Sequence, residues 1–471
     1  MRQAVVIIHG IGEQRPMQTL RAFVAGVFGL DDSQQAKRAF SKPDRISDIL
    51  ELRRLSVRGG GCKPAEGSPE LAEGRDTDFY EFYWQHLMQG TTLRPIVEWF
   101  LCLLCHPKKL SALDKRMFGI WTIVFISIVA AVMLAWVVLV IVWPVLRPRT
   151  LHLALAIPSL LLLAPLVWMV IMWVVTGVVE RFVLGYAGDA FRYLNPDPPN
   201  IAARRAIRTA GLELLRGLHN DELRRYERIV LVGHSLGSVI AYDLITWFWQ
   251  EQHHRVERQG KEGQKPEFVV TRHIDDHGPE SLPNDGSPLV DLDRLAAAVT
   301  PESGVEEFRA AQWKLWQDHR TNGLPWMITD LVTLGSPLTH ALVLLADDAR
   351  AFDIAKAQRE FPTCPPQKED QRDEGLLWRT SPESEKPFRI LHHGAPFAVT
   401  RWTNIHFTGD PVGGPLAELF GKGIRDVKLG NGKTARHWSS HLHYWDSGET
   451  EACEELRKAL CLNEPTCDPS T

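Results

Sequence analysis

The sequence is poor in cysteine and lacks an excess of charge of either sign. Seven cysteines in 471 residues are too few, and odd in number, for a disulfide scaffold, and they favour a reducing compartment. The 53 basic and 57 acidic residues give a net charge of −4, which argues against a dedicated nucleic-acid-binding protein. Residues 1–9 contain no long apolar region behind a basic start, so no signal peptide is expected.

Two long stretches have no charged residue at all, from Met117 to Leu146 and from Thr150 to Val179. About 20 apolar residues of helix cross a bilayer core, so the sequence predicts a two-helix transmembrane hairpin over residues 117–179, with a pair of buried core helices as the alternative. Basic residues flanking the hairpin outnumber those at its tip. This bias predicts an integral membrane protein with two spans, both soluble segments cytoplasmic and the bilayer as a partner.

Outside this region, short apolar runs alternate with segments of helical periodicity. The runs resemble strands that are buried on both faces of a parallel sheet, and they lie at 4–8, 79–84, 229–232, 328–334, 402–407 and 424–429. Helical spacing covers residues 201–227, 238–249 and 302–320. Strands that alternate with helices predict an α/β fold, with a mostly parallel sheet and helices on both faces.

The predicted domain organisation is one α/β domain interrupted by the hairpin. Residues 1–116 form its first part, residues 117–179 the hairpin, and residues 180–471 its second part. Stretches near 250–300 and 364–387 are polar and contain proline and glycine. This composition predicts surface insertions in the second part of the domain.

The central chemical signal is Gly233-x-Ser235-x-Gly237. A bare G-x-S-x-G is expected by chance in roughly one chain in seven of this length, so its context decides its meaning. An apolar strand precedes the motif and a helix-compatible stretch follows it. This strand–turn–helix is what a nucleophile elbow needs, because the sharp turn leaves no room for side chains at the glycines. Ser235 is therefore the candidate nucleophile.

A serine nucleophile needs a base, and the base needs an acid that orients it. Asp410 follows an apolar strand directly, and His441 follows the last predicted strand by a loop. The resulting order of Ser, Asp and His along the chain is the one expected for such an elbow. His443 is a close rival for the base and His437 a distant one.

Backbone N–H groups are expected to stabilise the developing oxyanion. The candidates are the N–H of Ile11, after the first strand at His9-Gly10, and the N–H of Leu236, which opens the helix behind Ser235. The sequence thus predicts Gly10, with Gly233 and Gly237, as motif glycines.

These motifs resemble the α/β-hydrolase superfamily, and specifically its lipase and esterase members. The residues that carry the likeness are His9-Gly10, Gly233-His234-Ser235-Leu236-Gly237-Ser238 and Leu334-Gly335-Ser336-Pro337-Leu338. Locally the chain is similar to DDHD-type intracellular phospholipases, at Val239-Ile240-Ala241-Tyr242-Asp243, Asn404-Ile405 and Asp410-Pro411-Val412. The resemblance covers mainly residues 4–12, 180–260, 328–338 and 400–446. It implies Ser235 as nucleophile, Asp410 as acid and lipid acyl esters as substrates.

The expected function is a membrane-anchored serine hydrolase that cleaves carboxylic esters, lipid acyl esters in particular, through an acyl-enzyme. Neither a metal nor an organic cofactor is expected, and no nucleic acid is expected as a partner. An acyltransferase or thioesterase would use the same three residues, and a non-catalytic membrane scaffold that retains the fold is the alternative from another class.

Overall fold

The computed structural model describes a large part of the chain, namely residues 2–10, 16–30, 39–44, 53–57, 76–88, 193–194, 198–220, 226–261, 288–300, 303–321, 325–346, 348–368, 377–379, 389–430, 434–446 and 449–462. The chain divides into two compact units, residues 1–89 with 198–471 and residues 90–197. All helices and strands given below belong to the first unit. The predicted domain boundaries at 116/117 and 179/180 lie outside the described residues.

The first unit is built on an eight-stranded sheet in a mixed α/β arrangement. Its strands are β1 (Arg2–Ile8), β2 (Ala39–Pro43), β3 (Arg53–Val57), β4 (Asp76–Phe82), β5 (Arg228–His234), β6 (Ile328–Leu334), β9 (Arg401–Phe407) and β10 (Arg425–Leu429). A separate two-stranded antiparallel hairpin consists of β7 (Leu377–Arg379) and β8 (Arg389–Leu391).

The strand order across the large sheet is β10-β9-β6-β5-β1-β4-β3-β2. The six strands from β10 to β4 run parallel to their neighbours, whereas β3 and β2 are added antiparallel at one edge. The six apolar runs in the sequence correspond to the parallel strands. β2 and β3 escape sequence analysis because they contain polar and charged residues in place of a continuous apolar run, as in Arg53-Arg54-Leu55-Ser56-Val57.

Nine α-helices accompany the strands in the described part of the chain. They are α1 (Gln18–Phe28), α2 (Pro198–Leu218), α3 (Leu236–Lys261), α4 (Pro288–Ala298), α5 (Val305–Thr321), α6 (Ala341–Leu344), α7 (Ala349–Ala357), α8 (Ala417–Phe420) and α9 (Thr450–Ala459). α3 and α4 form the two ends of the stretch 250–300, which the sequence predicts as a polar insertion, and residues 262–287 between them lie outside the described residues. The second half of α3 is rich in Gln, Glu, Arg and His, which are compatible with a helix but give no apolar signal in the sequence.

Apolar side chains cover both faces of the sheet. On one face, Val5 and Ile7 join Val230 and Val232 in a core that also contains residues of α1 and α9. Because side chains alternate along a strand, the neighbouring residue Val6, which is also buried, points to the opposite face. There α3 packs against β1, β5 and β6.

The structure corrects the prediction of a two-span membrane hairpin and, with it, the predicted integral-membrane localisation. A span needs about 20 residues of predominantly apolar helix. None of the helices in the described ranges is both long enough and apolar enough to cross a membrane. The absence of charged residues describes only composition. A stretch of this kind spans a membrane only where it forms one continuous apolar helix. Residues 117–179, to which the hairpin was assigned, lie outside the described residues.

Candidate active site

The carboxyl ends of the central strands meet at one edge of the sheet. Ile8 near the end of β1 pairs with Gly233 of β5, and the next residue of β5, His234, pairs with Leu334 of β6. Leu334 in turn pairs with Ile405 of β9. In open α/β sheets, this edge is where ligands bind. The segments that follow these strands, which carry most of the predicted site residues, therefore lie side by side.

Ser235 lies between β5 and α3 in a strained backbone conformation. Its φ of 52° is in the left-handed region, which non-glycine residues seldom adopt. Such strain persists only where the surrounding structure enforces it, and it clusters at functional sites. The N–H of Ser235 donates to the carbonyl oxygen of Leu334 over 2.9 Å, and its Oγ makes no hydrogen bond with any described residue. The backbone is thus held firmly, while the hydroxyl has no structural use within the described part of the chain.

The three predicted motif glycines lie where the chain passes too close for a side chain. A Cβ atom at Gly237 would lie 2.0 Å from the carbonyl oxygen of Ile8, and one at Gly233 would lie 2.4 Å from the Cα of Ser238. A Cβ atom at Gly10 would lie 2.8 Å from the Cβ of Ser235. The glycines therefore let the end of β1 and the start of α3 close around Ser235.

A pair of buried serines connects this turn to the segment after β6. Ser238 Oγ donates to the carbonyl oxygen of Ser235 over 2.6 Å and lies 2.6 Å from the Oγ of Ser336. Ser336 also accepts the N–H of Leu338 over 3.3 Å. These contacts give a structural role to the Leu334-Gly335-Ser336-Pro337 motif, to which the sequence analysis assigned no chemistry.

Asp410 is a buried carboxylate that follows β9, with 1% of its surface exposed. Its Oδ1 accepts the N–H groups of Val412 and Gly413 over 2.8 and 3.0 Å, and its Oδ2 accepts the hydroxyl of Tyr444 over 2.7 Å. Burial alone would raise its pKa. The charge and hydrogen bond of His441, with these other donors, outweigh burial and hold the pKa of Asp410 well below its usual range.

His441 is the histidine that contacts Asp410. It lies in the 3₁₀ segment Trp438–Leu442, is 4% exposed, and its Nδ1 is 2.9 Å from Oδ2 and 3.0 Å from Oδ1 of Asp410. An ionised carboxylate only accepts hydrogen bonds, so Nδ1 carries the proton. The basic nitrogen of the neutral ring is therefore Nε2, which is the tautomer that a general base needs.

The rival histidines do not reach Asp410. His443 lies at the surface, where its Nδ1 pairs with Oδ2 of Asp446 over 2.5 Å. His437 is exposed and caps the 3₁₀ segment, because its Nδ1 accepts the N–H of Ser439 over 3.2 Å. Spacing alone did not separate these candidates, since all three follow the last strand of the sheet within 14 residues and lie within seven positions of each other.

His234 lies between the predicted nucleophile and the predicted base. It directly precedes Ser235, and its Nε2 donates to the backbone carbonyl oxygen of His441 over 2.8 Å. The two imidazole rings lie 4.9 Å apart, centre to centre. Burial, reinforced by the neighbouring His441, lowers the pKa of His234 to about 3, so the ring is neutral at ordinary pH.

Of the two predicted oxyanion donors, Leu236 is described and Ile11 lies outside the described residues. Leu236 is the first residue of α3, so its N–H has no carbonyl partner within that helix. It lies at the positive end of the dipole of a 26-residue helix, which favours negative charge nearby. The segment before Ile11 is held by Trp84, whose Nε1 donates to the carbonyl oxygen of His9 over 3.0 Å.

Two further residues of this cluster, Tyr444 and Gly335, have no role in the site that the sequence predicts. Tyr444 follows His441 by three positions in a run of polar and aromatic residues, a signal that could have been noted. Gly335 has a φ of 53°, and a Cβ there would lie 2.7 Å from Oδ2 of Asp410 and 2.9 Å from Nδ1 of His441. Only a residue without a side chain leaves room for this pair.

The arrangement brings together a strained serine, an imidazole whose Nδ1 donates to a carboxylate, and that carboxylate, which is buried and ionised. These are the groups that nucleophilic acyl transfer requires. In comparisons with known proteins, the chain matches no family model, no curated protein and no solved structure.

Proposed function

We propose that this chain is a serine carboxylic-ester hydrolase with Ser235 as nucleophile, His441 as general base and Asp410 as the acid that orients the base. The observation that carries the proposal is the buried hydrogen bond from Nδ1 of His441 to Asp410, at the same sheet edge as the strained turn of Ser235. This pair supplies the base and the orienting acid that a catalytic triad needs, which supports the proposal.

In the acylation step, Oγ of Ser235 attacks the carbonyl carbon of the ester while Nε2 of His441 takes the hydroxyl proton. The carbonyl π electrons move to oxygen and form a tetrahedral oxyanion. When this intermediate collapses, the bond to the alcohol oxygen breaks, and His441 returns the proton to the leaving alcohol. Asp410 stays ionised throughout and stabilises the imidazolium that forms in between.

In the deacylation step, water takes the place of the alcohol. His441 accepts a proton from water as its oxygen attacks the acyl carbon, and it then gives that proton to Oγ of Ser235 as the carboxylic acid leaves. The N–H of Leu236 donates to the oxyanion in both steps, and the sequence assigns the second donor to Ile11. Loss of one such donor typically lowers turnover by about 10²–10³.

We further propose that the chain is related to the lipase and esterase members of the α/β-hydrolase superfamily and acts on acyl esters of lipids. The order Ser235, Asp410, His441 along the chain and the strand–turn–helix at Ser235 support this relationship. The proposed preference for lipid esters rests on the resemblance of the sequence around Ser235 to that of intracellular phospholipases.

Labelling with a fluorophosphonate probe tests the proposed function directly, because the probe forms a bond only with an activated serine. We expect the wild-type chain to be labelled and Ser235→Ala not to be. Ser303→Ala, an exposed serine far from Asp410 in the sequence, serves as the matched control and is expected to label as the wild type does. Absence of labelling in the wild-type chain, or undiminished labelling of Ser235→Ala, contradicts the proposal.

The same protein can then be assayed for the kind of acyl acceptor and leaving group. Release of free acid from short and long p-nitrophenyl esters indicates hydrolysis. Transfer of the acyl group to an added alcohol indicates an acyltransferase, and cleavage of acyl thioesters indicates a thioesterase. A non-catalytic scaffold would neither label nor turn over any of these substrates.

A further inference from the structure

Resting on the proposed function, we propose that Tyr444 is a positioning residue, whose hydroxyl holds Asp410 in the orientation that His441 needs. Tyr444 acts through the carboxylate. Its phenol hydroxyl donates to Oδ2 of Asp410 over 2.7 Å, the same oxygen that accepts Nδ1 of His441 over 2.9 Å. Nothing in the predicted triad assigns this residue a role.

The hydroxyl of Tyr444 has a fixed direction. Its oxygen accepts the backbone N–H of Phe407, the last residue of β9, over 3.2 Å. Because the Phe407 N–H occupies one acceptor position of the phenol oxygen, the hydroxyl proton is directed towards Asp410. The phenol thus connects the end of β9 to the carboxylate three residues further along the chain.

The ring of Tyr444 is also fixed, because it is fully buried and closely packed. Its centre lies 4.6 Å from that of Phe407 and 5.7 Å from that of His234. A Cβ at Gly335 would lie only 2.8 Å from its Cε2. The side chain cannot swing away without repacking the site, so the hydroxyl is held where Asp410 requires it.

Both carboxylate oxygens of Asp410 lie within hydrogen-bond distance of Nδ1 of His441, at 3.0 Å for Oδ1 and 2.9 Å for Oδ2, and they differ in their other donors. Oδ1 accepts the N–H groups of Val412 and Gly413, which orient the carboxylate from its own loop. Oδ2 is shared between Tyr444 and His441. A second donor on Oδ2 draws off part of the negative charge that His441 would otherwise feel.

Tyr444 can serve as a donor over the whole working range of pH. Burial and the neighbouring charge of Asp410 raise the pKa of Tyr444 well above its ordinary value, so the phenol stays protonated. Apart from His441, the titratable groups that face this pair are His234 at the end of β5 and, beyond it, His9 of the segment after β1. Burial lowers their pKa values to about 3 and about 4, so neither titrates at neutral pH.

The test compares Tyr444→Phe, which removes only the hydroxyl, with the wild-type chain over a range of pH, using a p-nitrophenyl butyrate assay. We expect kcat/KM to fall by roughly 10- to 100-fold, because a less firmly held carboxylate allows the base to stray from its reactive position. We also expect the acid limb of the kcat/KM profile to move to higher pH by about half a unit. Without the phenol, Oδ2 bears more charge and stabilises the protonated imidazole more strongly.

Tyr242→Phe is the matched control. Tyr242 is likewise buried, and its hydroxyl donates to the carbonyl oxygen of Pro362 over 2.8 Å. Both substitutions remove a buried hydroxyl that donates one hydrogen bond, and Tyr444→Phe also removes the acceptor of the Phe407 N–H, so it is expected to cost more stability than Tyr242→Phe. Only Tyr444→Phe should move the pH profile, since a merely structural loss lowers the amount of active protein without changing the pH at which it works.

A folded Tyr444→Phe variant with the wild-type pH profile overturns this inference. If the variant does not fold, 3-fluorotyrosine at position 444 keeps the ring and makes the hydroxyl a stronger donor. It is then expected to move the acid limb to lower pH, and an unchanged profile again overturns the inference. Failure of the wild-type chain to label with the fluorophosphonate instead overturns the proposed function, so the two failures are distinguishable.

Discussion

The imidazole of His234 donates from Nε2 to the backbone carbonyl oxygen of His441, over 2.8 Å. The residue before the proposed nucleophile therefore fixes the main chain of the proposed base. His234 is the last residue of β5, and His441 lies in a separate 3₁₀ segment. This bond therefore fixes the distance between the end of β5 and that segment.

Replacement of His234 by Phe is expected to lower kcat about 10-fold with little change in KM. The substitution keeps an aromatic ring but loses the donor to His441, so the base is less well placed relative to Ser235. Steady-state kinetics with a short p-nitrophenyl ester provide the measurement. His319→Phe, a buried histidine of α5, serves as the control and should retain wild-type kcat. Equal kcat values for both variants would contradict the proposal that His234 positions His441.

His441→Ala and His443→Ala are expected to differ sharply in turnover. Loss of His441 removes the only one of these two rings that contacts Asp410, and we expect kcat to fall by about 10³-fold or more. His443 pairs with Asp446 at the surface, so its loss should change kcat by less than about 2-fold. Single-turnover labelling with the fluorophosphonate gives an independent readout. A larger loss in His443→Ala would reverse the assignment of the base.

Gly237→Ala is expected to destabilise the protein by about 3 kcal/mol, because the added Cβ meets a backbone oxygen that cannot move aside easily. That Cβ would lie 2.0 Å from the carbonyl oxygen of Ile8. Urea unfolding at one pH measures the loss. Gly430→Ala is the control, since its Cβ would meet only Thr408 Oγ1 at 3.4 Å, and it should stay within about 0.5 kcal/mol of the wild type. Similar midpoints for the two variants would contradict the proposed close approach.

Glu81 is expected to make the free energy of unfolding depend on pH. Burial is the main cause that raises its pKa from 4.5 to about 7, partly offset by hydrogen bonds from Met17 and Thr19. Below pH 4.5 the carboxyl is protonated both folded and unfolded, and its contribution to stability is complete. As the pH rises through about 7, the folded protein must hold a buried carboxylate, and up to about 3 kcal/mol is lost.

The matched variants are Glu81→Gln, which keeps an oxygen acceptor for the Met17 N–H, and Glu454→Gln on the exposed side of α9. Urea unfolding at pH 5 and pH 8 should show a smaller loss of stability at high pH in Glu81→Gln than in the wild type. Glu454→Gln should keep the wild-type dependence. The same loss between pH 5 and pH 8 in all three proteins would rule out this role for Glu81.

Sequence analysis located the parallel strands of the sheet and the turn at Ser235 because these signals are local. A strand buried on both faces must be continuously apolar, and a sharp strand-to-helix turn needs glycine on both sides of its serine. The antiparallel strands β2 and β3 carry no such signal, since charged and polar residues interrupt their apolar ones. The prediction of a transmembrane hairpin was wrong because it rested on the absence of charged residues alone. That absence does not show that the residues form one continuous apolar helix.

What the sequence determined by itself is the set of residue types and their order: a serine after β5, an aspartate after β9 and histidines close behind. What only the tertiary structure decided is which histidine reaches Asp410, and that Tyr444, Gly335 and His234 complete the cluster. The reason is physical. Strand and turn signals arise between residues a few positions apart, whereas the bond from His441 to Asp410 spans 31 positions and that from His234 to His441 spans 207. Such contacts exist only after the sheet has brought the ends of its strands to one edge.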